Sequence, residues 1–149
     1  MTKTLFRLII LAQLAMVTPS VISQESQVHS IDIQQIIGSW EGRNKQGEVA
    51  VIQFQPGGTV QFTLNGKPLV PMMPNEGTLK FRINQDKSPM WLDLIALDST
   101  GRELGQIKFI FQLINPKELK LQAGEDLTVR PEKFNESDPS KTVIFKKYY

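Results

Sequence analysis

The chain contains no cysteine. That excludes a disulfide framework, thiol chemistry and a lipid anchor on an N-terminal cysteine. It has one histidine, His29, in a polar stretch ahead of the first patterned segment. No Ser-His-Asp or Cys-His arrangement can be built around that residue, and a metal site of several histidines is ruled out. Charge of one sign is also missing, with 17 basic residues against 15 acidic ones. The longest apolar run, Leu8–Val17, is about ten residues, half of the roughly twenty that a membrane-spanning helix needs.

What is present begins with a three-part leader. Met1–Arg7 carries Lys3 and Arg7 and no acid, Leu8–Val17 is the apolar run, and Pro19 breaks it before Val21-Ile22-Ser23. This is the layout of a secretory signal peptide over residues 1–23, cut between Ser23 and Gln24. The expectation is an exported protein in a periplasm, a lumen or the medium. Lys3 and Arg7 leave with the signal and no acid does, which brings the 17 basic residues level with the 15 acidic ones. A neutral surface argues against nucleic acid or an anionic membrane as partner, since both select a basic footprint. What remains, about 126 residues, is one domain's worth and enough to bury a core without staples.

Residues 24–30 read as a loose leader and 31–149 as a single domain. Ser30 can cap a short helical turn over Ile31–Ile37, with Ile33, Ile36 and Ile37 on one face. Strand patterning follows. Ser39–Arg43, Glu48–Gln55, Thr59–Leu64, Gly77–Ile83, Met90–Leu97, Leu104–Ile114, Glu118–Leu121, Leu127–Arg130 and Thr142–Lys147 are short apolar or alternating runs between Gly, Pro and Asn turns. Asn65-Gly66 is the strongest hairpin signal, because a type I′ turn needs positive φ at both central positions. Met90–Leu97 and Leu104–Ile114 are the most apolar and should lie centrally. Short links favour antiparallel neighbours. The expected fold is all-β: a small antiparallel up-and-down β-barrel of about eight strands, closed to remove exposed edges, with a helical turn at its front.

Two groups of residues resemble a known family. Gly38-Ser39-Trp40, after the helical turn, resembles the Gly-x-Trp start of lipocalins, in which a short helix plugs one barrel end above the Trp. Pro89-Met90-Trp91-Leu92-Asp93-Leu94, Gly105-Gln106-Ile107, Leu119-Lys120-Leu121 and Arg130-Pro131-Glu132-Lys133-Phe134 are similar to a family of small exported bacterial lipocalin-like domains of unknown function. That family often has a Cys after the Leu-x-Leu strand, where this chain has Gln122. The resemblance implies a barrel with Trp40 as a core anchor, and no activity.

Few residues could carry chemistry. Asp93 sits in an otherwise apolar strand and by period two shares a face with Trp91 and Ile95; if that face is inward, its carboxylate needs a partner. Arg130 is the natural one, since a guanidinium pairs two-pronged with a carboxylate. The pair reads as an internal ion pair that fixes strand register, in preference to an anchor for a ligand's polar end. The segment Pro68–Pro74, with Leu69, Val70, Met72 and Met73, is an apolar loop. It reads equally as a lid or docking loop at the barrel mouth and as a plug that completes the core. Glu125, Asp126 and Asp98 read as turn formers, because a calcium loop needs acids at several alternating positions. Asn135-Glu136-Ser137 matches a glycosylation acceptor, which matters only in a eukaryotic secretory pathway.

The sequence thus leads to a non-enzymatic exported module. It would bind a small apolar ligand lined by Trp91, Phe62, Phe81, Phe109 and Phe111. Alternatively, the barrel is packed solid and docks on another envelope or lumenal protein. Interior volume separates the two. No metal, cofactor or nucleic acid is expected, and no stable insertion in a membrane.

Overall fold

The computed structural model describes residues 30–68 and 77–149. The expected signal peptide, His29 and the loop residues Leu69, Val70, Met72 and Met73 lie outside the described residues. Helix α1 is one turn, Ile33–Ile36, shorter than the expected Ile31–Ile37. Its cap is Asp32 rather than Ser30: the Asp32 side chain accepts from Gln34 N, and Gln35 reaches back to the Asp32 backbone. A carboxylate is as good a cap as a hydroxyl, and here it is completed by the reciprocal glutamine.

Nine antiparallel strands follow among the described residues: β1 Gly38–Arg43, β2 Val49–Phe54, β3 Val60–Leu64, β4 Lys67–Pro68, β5 Thr78–Asn84, β6 Met90–Leu97, β7 Glu103–Asn115, β8 Glu118–Ala123 and β9 Thr142–Tyr148. They form one sheet in the order β4-β3-β2-β1-β9-β8-β7-β6-β5. Every sequential neighbour but β4 and β5 pairs, and β1 also pairs with β9, which joins the two runs β1–β4 and β5–β9 into one sheet. The fold is all-β and barrel-like, a curled sheet with little helix. The end strand β5 meets the segment just before β3 at a seam of one bridge, Thr59 to Lys80, with Phe81 N donating to Gly58 O at 2.9 Å, while β4 forms the other end of the sheet. Pro68 lies at the free edge, where a residue without an N–H does no harm to a ladder.

Local chemistry explains most of the strand ends. Asn65 and Gly66 have φ of 50° and 76°, the two positive values a type I′ hairpin requires. The expected strand Leu127–Arg130 is instead a turn in a long connection between β8 and β9. Thr128 N and Thr128 Oγ1 both donate to the Asp126 carboxylate, at 2.8 and 2.7 Å. That Asx-type turn claims the donors a strand would offer to a ladder. One turn of 3-10 helix, Pro139–Lys141, ends the same connection.

The inner face holds the core. Trp40, Ile52, Phe54, Leu92, Leu94, Phe111 and Leu119 are all 1 % exposed or less. At the α1 end of the barrel, Trp40 donates its Nε1–H to Ile36 O at 2.7 Å, so the helical turn sits as a lid on the indole. Phe54 and Phe81 pack edge to face, centroids 5.0 Å apart at 75°. Burial of these aromatics and aliphatics is the main term holding the sheet in its curl.

The outer face of β6–β8 is also covered. Ile110 is fully buried there, and Gln122 is 5 % exposed. The connection 124–141 crosses this face as a strap. It is tied by Lys108 N to Leu127 O at 2.8 Å, and by Asn135 N and Thr142 Oγ1 to Gln122 Oε1, both at 2.9 Å. Gln122 thus takes both bonds a carboxamide oxygen can accept, which is what makes its burial affordable in free energy.

Candidate functional site

The end of the barrel opposite α1 is open to a cavity. The ladder places Gly38 beside Phe54 at the closed end and Arg43 beside Val49 at the other, with Leu64 next to Ala50. Between them lies a pocket of about 180 Å³. Its wall is apolar: Ala50, Phe62, Leu64, Phe109, Leu121 and Phe145 contribute, with Ala123 and Val143 near the rim. Three polar residues also line it, Asn44, Glu48 and Lys141. An engineered cavity of about 150 Å³ lined by aliphatics and phenylalanine stays dry and takes up benzene, so this volume suits one small ring or a short alkyl chain. It is smaller than the roughly 300 Å³ at which drug-sized pockets begin.

The sequence-expected lining residues divide. Phe62 and Phe109 face the cavity. Phe81 and Phe111 are in the packed core instead, Phe81 against Phe54 and Phe111 at 1 % exposure. Trp91 does not belong to the interior. Alternation along β6 sends Leu92 and Leu94 inward and turns Trp91 and Asp93 to the outer face. The strand is apolar on both sides because the strap covers its outside, and such a run does not show which parity faces in.

The outer face carries the charged constellation. Asp93 stands in ladder register between Arg82 on β5 and Lys108 on β7. Arg82 Nη2 donates to Asp93 Oδ2 at 3.1 Å, and Arg130 Nη2 donates to Asp93 Oδ1. Arg130 also donates to Phe109 O at 2.6 Å and lies 4.3 Å over the Trp91 ring. Its side chain is 13 % exposed and that of Asp93 10 %, whereas Arg82 is 59 % exposed. The pairing of Asp93 with Arg130 that the sequence suggests for an inward face is made on the outer face instead, where the strap, not the barrel wall, buries it. Arg82 was missed. The β5–β6 register that puts it opposite Asp93 depends on the length of the turn after Asn84, which periodicity does not reveal. Beside the pair is an open groove bounded by Lys87, Trp91, Lys108, Val129 and Arg130.

At the cavity rim the polar residues form two tied groups. Asn44 Nδ2 donates to Glu48 Oε2 at 2.7 Å, and Glu48 N donates to Asn44 Oδ1 at 2.9 Å. Across the rim Lys141 Nζ donates to Glu125. Their contact raises the Lys141 ammonium above its ordinary value and holds the Glu125 carboxyl below the usual range, hydrogen bond first and charge second in each case. None of these rim residues was picked out as a site by the sequence; Glu48 and Lys141 look like ordinary strand-end charges until the fold brings them to one opening. Among the described residues no group of three or more His, Asp or Glu side chains is placed to hold a metal ion. No helix among them is long and apolar enough to cross a membrane.

Fold and site together define a class: a small antiparallel barrel-like domain, plugged at one end and hollow at the other. Against family models, curated proteins and solved structures, the chain finds no match.

Proposed function

We propose that this protein is an exported, non-enzymatic, lipocalin-like module that takes a small apolar ligand into the open end of its barrel. The observation that carries the reading is the pocket of about 180 Å³, walled by phenylalanine and aliphatic side chains and closed below by the packed core. Apolar walls with a few polar groups at the mouth are the usual make-up of a small-molecule site. Export rests on the signal layout of residues 1–23, and the lipocalin-like assignment on the Gly-x-Trp start and the Arg-Pro-x-x-Phe series.

The test is native mass spectrometry of the protein purified from its own source, read with N-terminal sequencing. A small organic adduct, lost on activation, on a chain beginning near Gln24 supports the reading. A chain that still begins at Met1 removes the exported location. A bare chain that also takes up no small aromatic in a thermal-shift panel removes the ligand.

A second reading, an accessory protein that docks on another envelope or lumenal protein, draws on the outer groove, where Trp91 and Arg130 lie beside the exposed Val129. Tryptophan and arginine are the residues interface energetics favour. Co-purification of a stoichiometric protein partner, lost in Trp91→Ala, would favour it over the first.

A further inference from the structure

Resting on the ligand reading above, we infer that the ligand of the open barrel end is a compact apolar amine, and that Glu48 is the counter-charge for its ammonium. The apolar body is set by the cavity. The head group is set by the charges at the mouth.

Glu48 is half-buried and held. The two hydrogen bonds to Asn44, with Asn44 N donating to Glu48 O at 3.1 Å, close a tight turn that fixes the carboxylate at the rim. Its only side-chain donor among the described residues is the neutral Asn44 amide, on Oε2. Glu48 makes no ion pair among the described residues, whereas the other charged residue of the lining, Lys141, is already paired with Glu125. Asp138 and Lys45 nearby are likewise paired, at 3.7 Å. Among the described residues, the uncompensated charge at the opening is therefore one fixed negative carboxylate.

A carboxylate next to an apolar, water-poor cavity attracts a cation more strongly than one in open solvent. An ammonium brings three donors and no acceptor, so it can reach the free Oε1 without competing for Asn44. An anionic head would meet a Lys141 already neutralised by Glu125 and would sit beside Glu48. A neutral hydroxyl head can donate to Oε1 but lacks the charge–charge attraction.

Three probes with the same ring separate these cases: benzylamine, benzyl alcohol and phenylacetate, titrated calorimetrically into the full exported chain. Benzylamine should bind about tenfold tighter than benzyl alcohol, because it adds a full positive charge to a hydrogen bond that the hydroxyl can also make. Glu48→Gln keeps the acceptor for Asn44 Nδ2 and should erase that advantage while leaving benzyl alcohol unchanged. Raising the salt concentration should shrink the advantage in the unmodified protein, a readout that does not depend on any variant folding. Ala123→Leu, which narrows the mouth, should weaken all three.

Equal binding of amine and alcohol overturns the inference and leaves the ligand reading standing. So does tightest binding of phenylacetate, lost in Lys141→Met. Amine binding that ignores Ala123→Leu overturns the location. Binding of none of the three overturns both the inference and the reading it rests on.

Discussion

Arg130 reaches back across 37 residues to grip Asp93 on the outside of the sheet, and in doing so it lays the strap over Trp91 and Ile110. One nitrogen of the guanidinium holds the carboxylate and the other holds Phe109 O. The contact joins three strands to a segment that forms no strand of its own. A double-mutant cycle with Asp93→Asn and Arg130→Met measures it. Each single change should cost about 3–5 kcal/mol, because Asp93→Asn strands the buried Arg130 charge and Arg130→Met leaves buried Asp93 with only the exposed Arg82. The double variant should be less destabilised than the sum, with a coupling of about 0.5–3 kcal/mol. Arg82→Met should stay within about 1 kcal/mol, since Arg82 is mostly exposed and its pair is a surface one. Additive singles, or an Arg82 effect as large as that of Arg130, would contradict this division of labour.

Trp40 should be among the costliest residues to truncate. It is fully buried, and its indole N–H ties α1 to the barrel end, beside a second bond from Lys147 Nζ to Gln35 O at 2.9 Å. Trp40→Ala should lower stability by about 3–5 kcal/mol. Trp40→Phe keeps most of the volume but leaves Ile36 O without its donor, and should cost about 1–3 kcal/mol. Chemical denaturation of both variants gives the two figures. A phenylalanine variant as stable as the parent would mean that the indole bond contributes nothing to holding the lid.

Gly124 opens the strap. A Cβ there would lie 2.3 Å from Val129 O and 2.9 Å from Asp126 O, both backbone atoms of the turn. Gly124→Ala must therefore unwind that turn or shift it off the sheet, at a cost of about 1–3 kcal/mol for overpacking. The specific readout is hydrogen exchange at the Lys108 amide, whose acceptor is Leu127 O. Its protection should fall by more than that of the β1–β2 amides. Uniform loss across the sheet would point to global unfolding instead.

Acid should loosen the strap before it unfolds the sheet. Glu125, Asp126 and Asp138 all have carboxyls held below the usual range, by Lys141, by the Thr128 hydroxyl and by the Ser140 hydroxyl respectively. A carboxyl depressed in the folded state contributes stability above its unfolded midpoint, about pH 4, and loses it as pH falls through the lower folded one. Lys141 has the opposite sign: its raised value contributes below the ordinary lysine range and is lost only in strong alkali. Exchange at the strap-bonded Lys108 amide, followed from about pH 7 down to 2, should rise relative to that of the β1–β2 amides as pH falls below about 4. The rise should be smaller in a Glu125→Gln, Asp126→Asn, Asp138→Asn variant. Identical profiles for variant and parent would show that these carboxylates are spectators.

The architecture was legible because it rests on local signals. Alternation in Thr59–Leu64 and Gly77–Ile83, positive-φ residues at Asn65-Gly66 and the short links between strands each act over a few residues, and together they specify an antiparallel meander. The apolar runs Met90–Leu97 and Leu104–Ile114 do become well-buried strands, but they stand near the β5 end of the sheet rather than centrally as expected, because apolar content reports burial and not place in the strand order. Leu127–Arg130 misled for a local reason, because the Asp126 side chain took the Thr128 donors. Trp91, Arg82 and Glu48 depended on something else. A strand covered on both sides has no polar face to reveal its parity, so only the strap decided that Trp91 and Asp93 face outward. The Arg82–Asp93 register and the meeting of Asn44, Glu48 and Lys141 at one rim arise from strands far apart in the chain curling to a common end. Sequence periodicity reports which side of a strand is apolar; what lies across from it, and whether the space between is filled, is set by the sum of side-chain volumes in three dimensions.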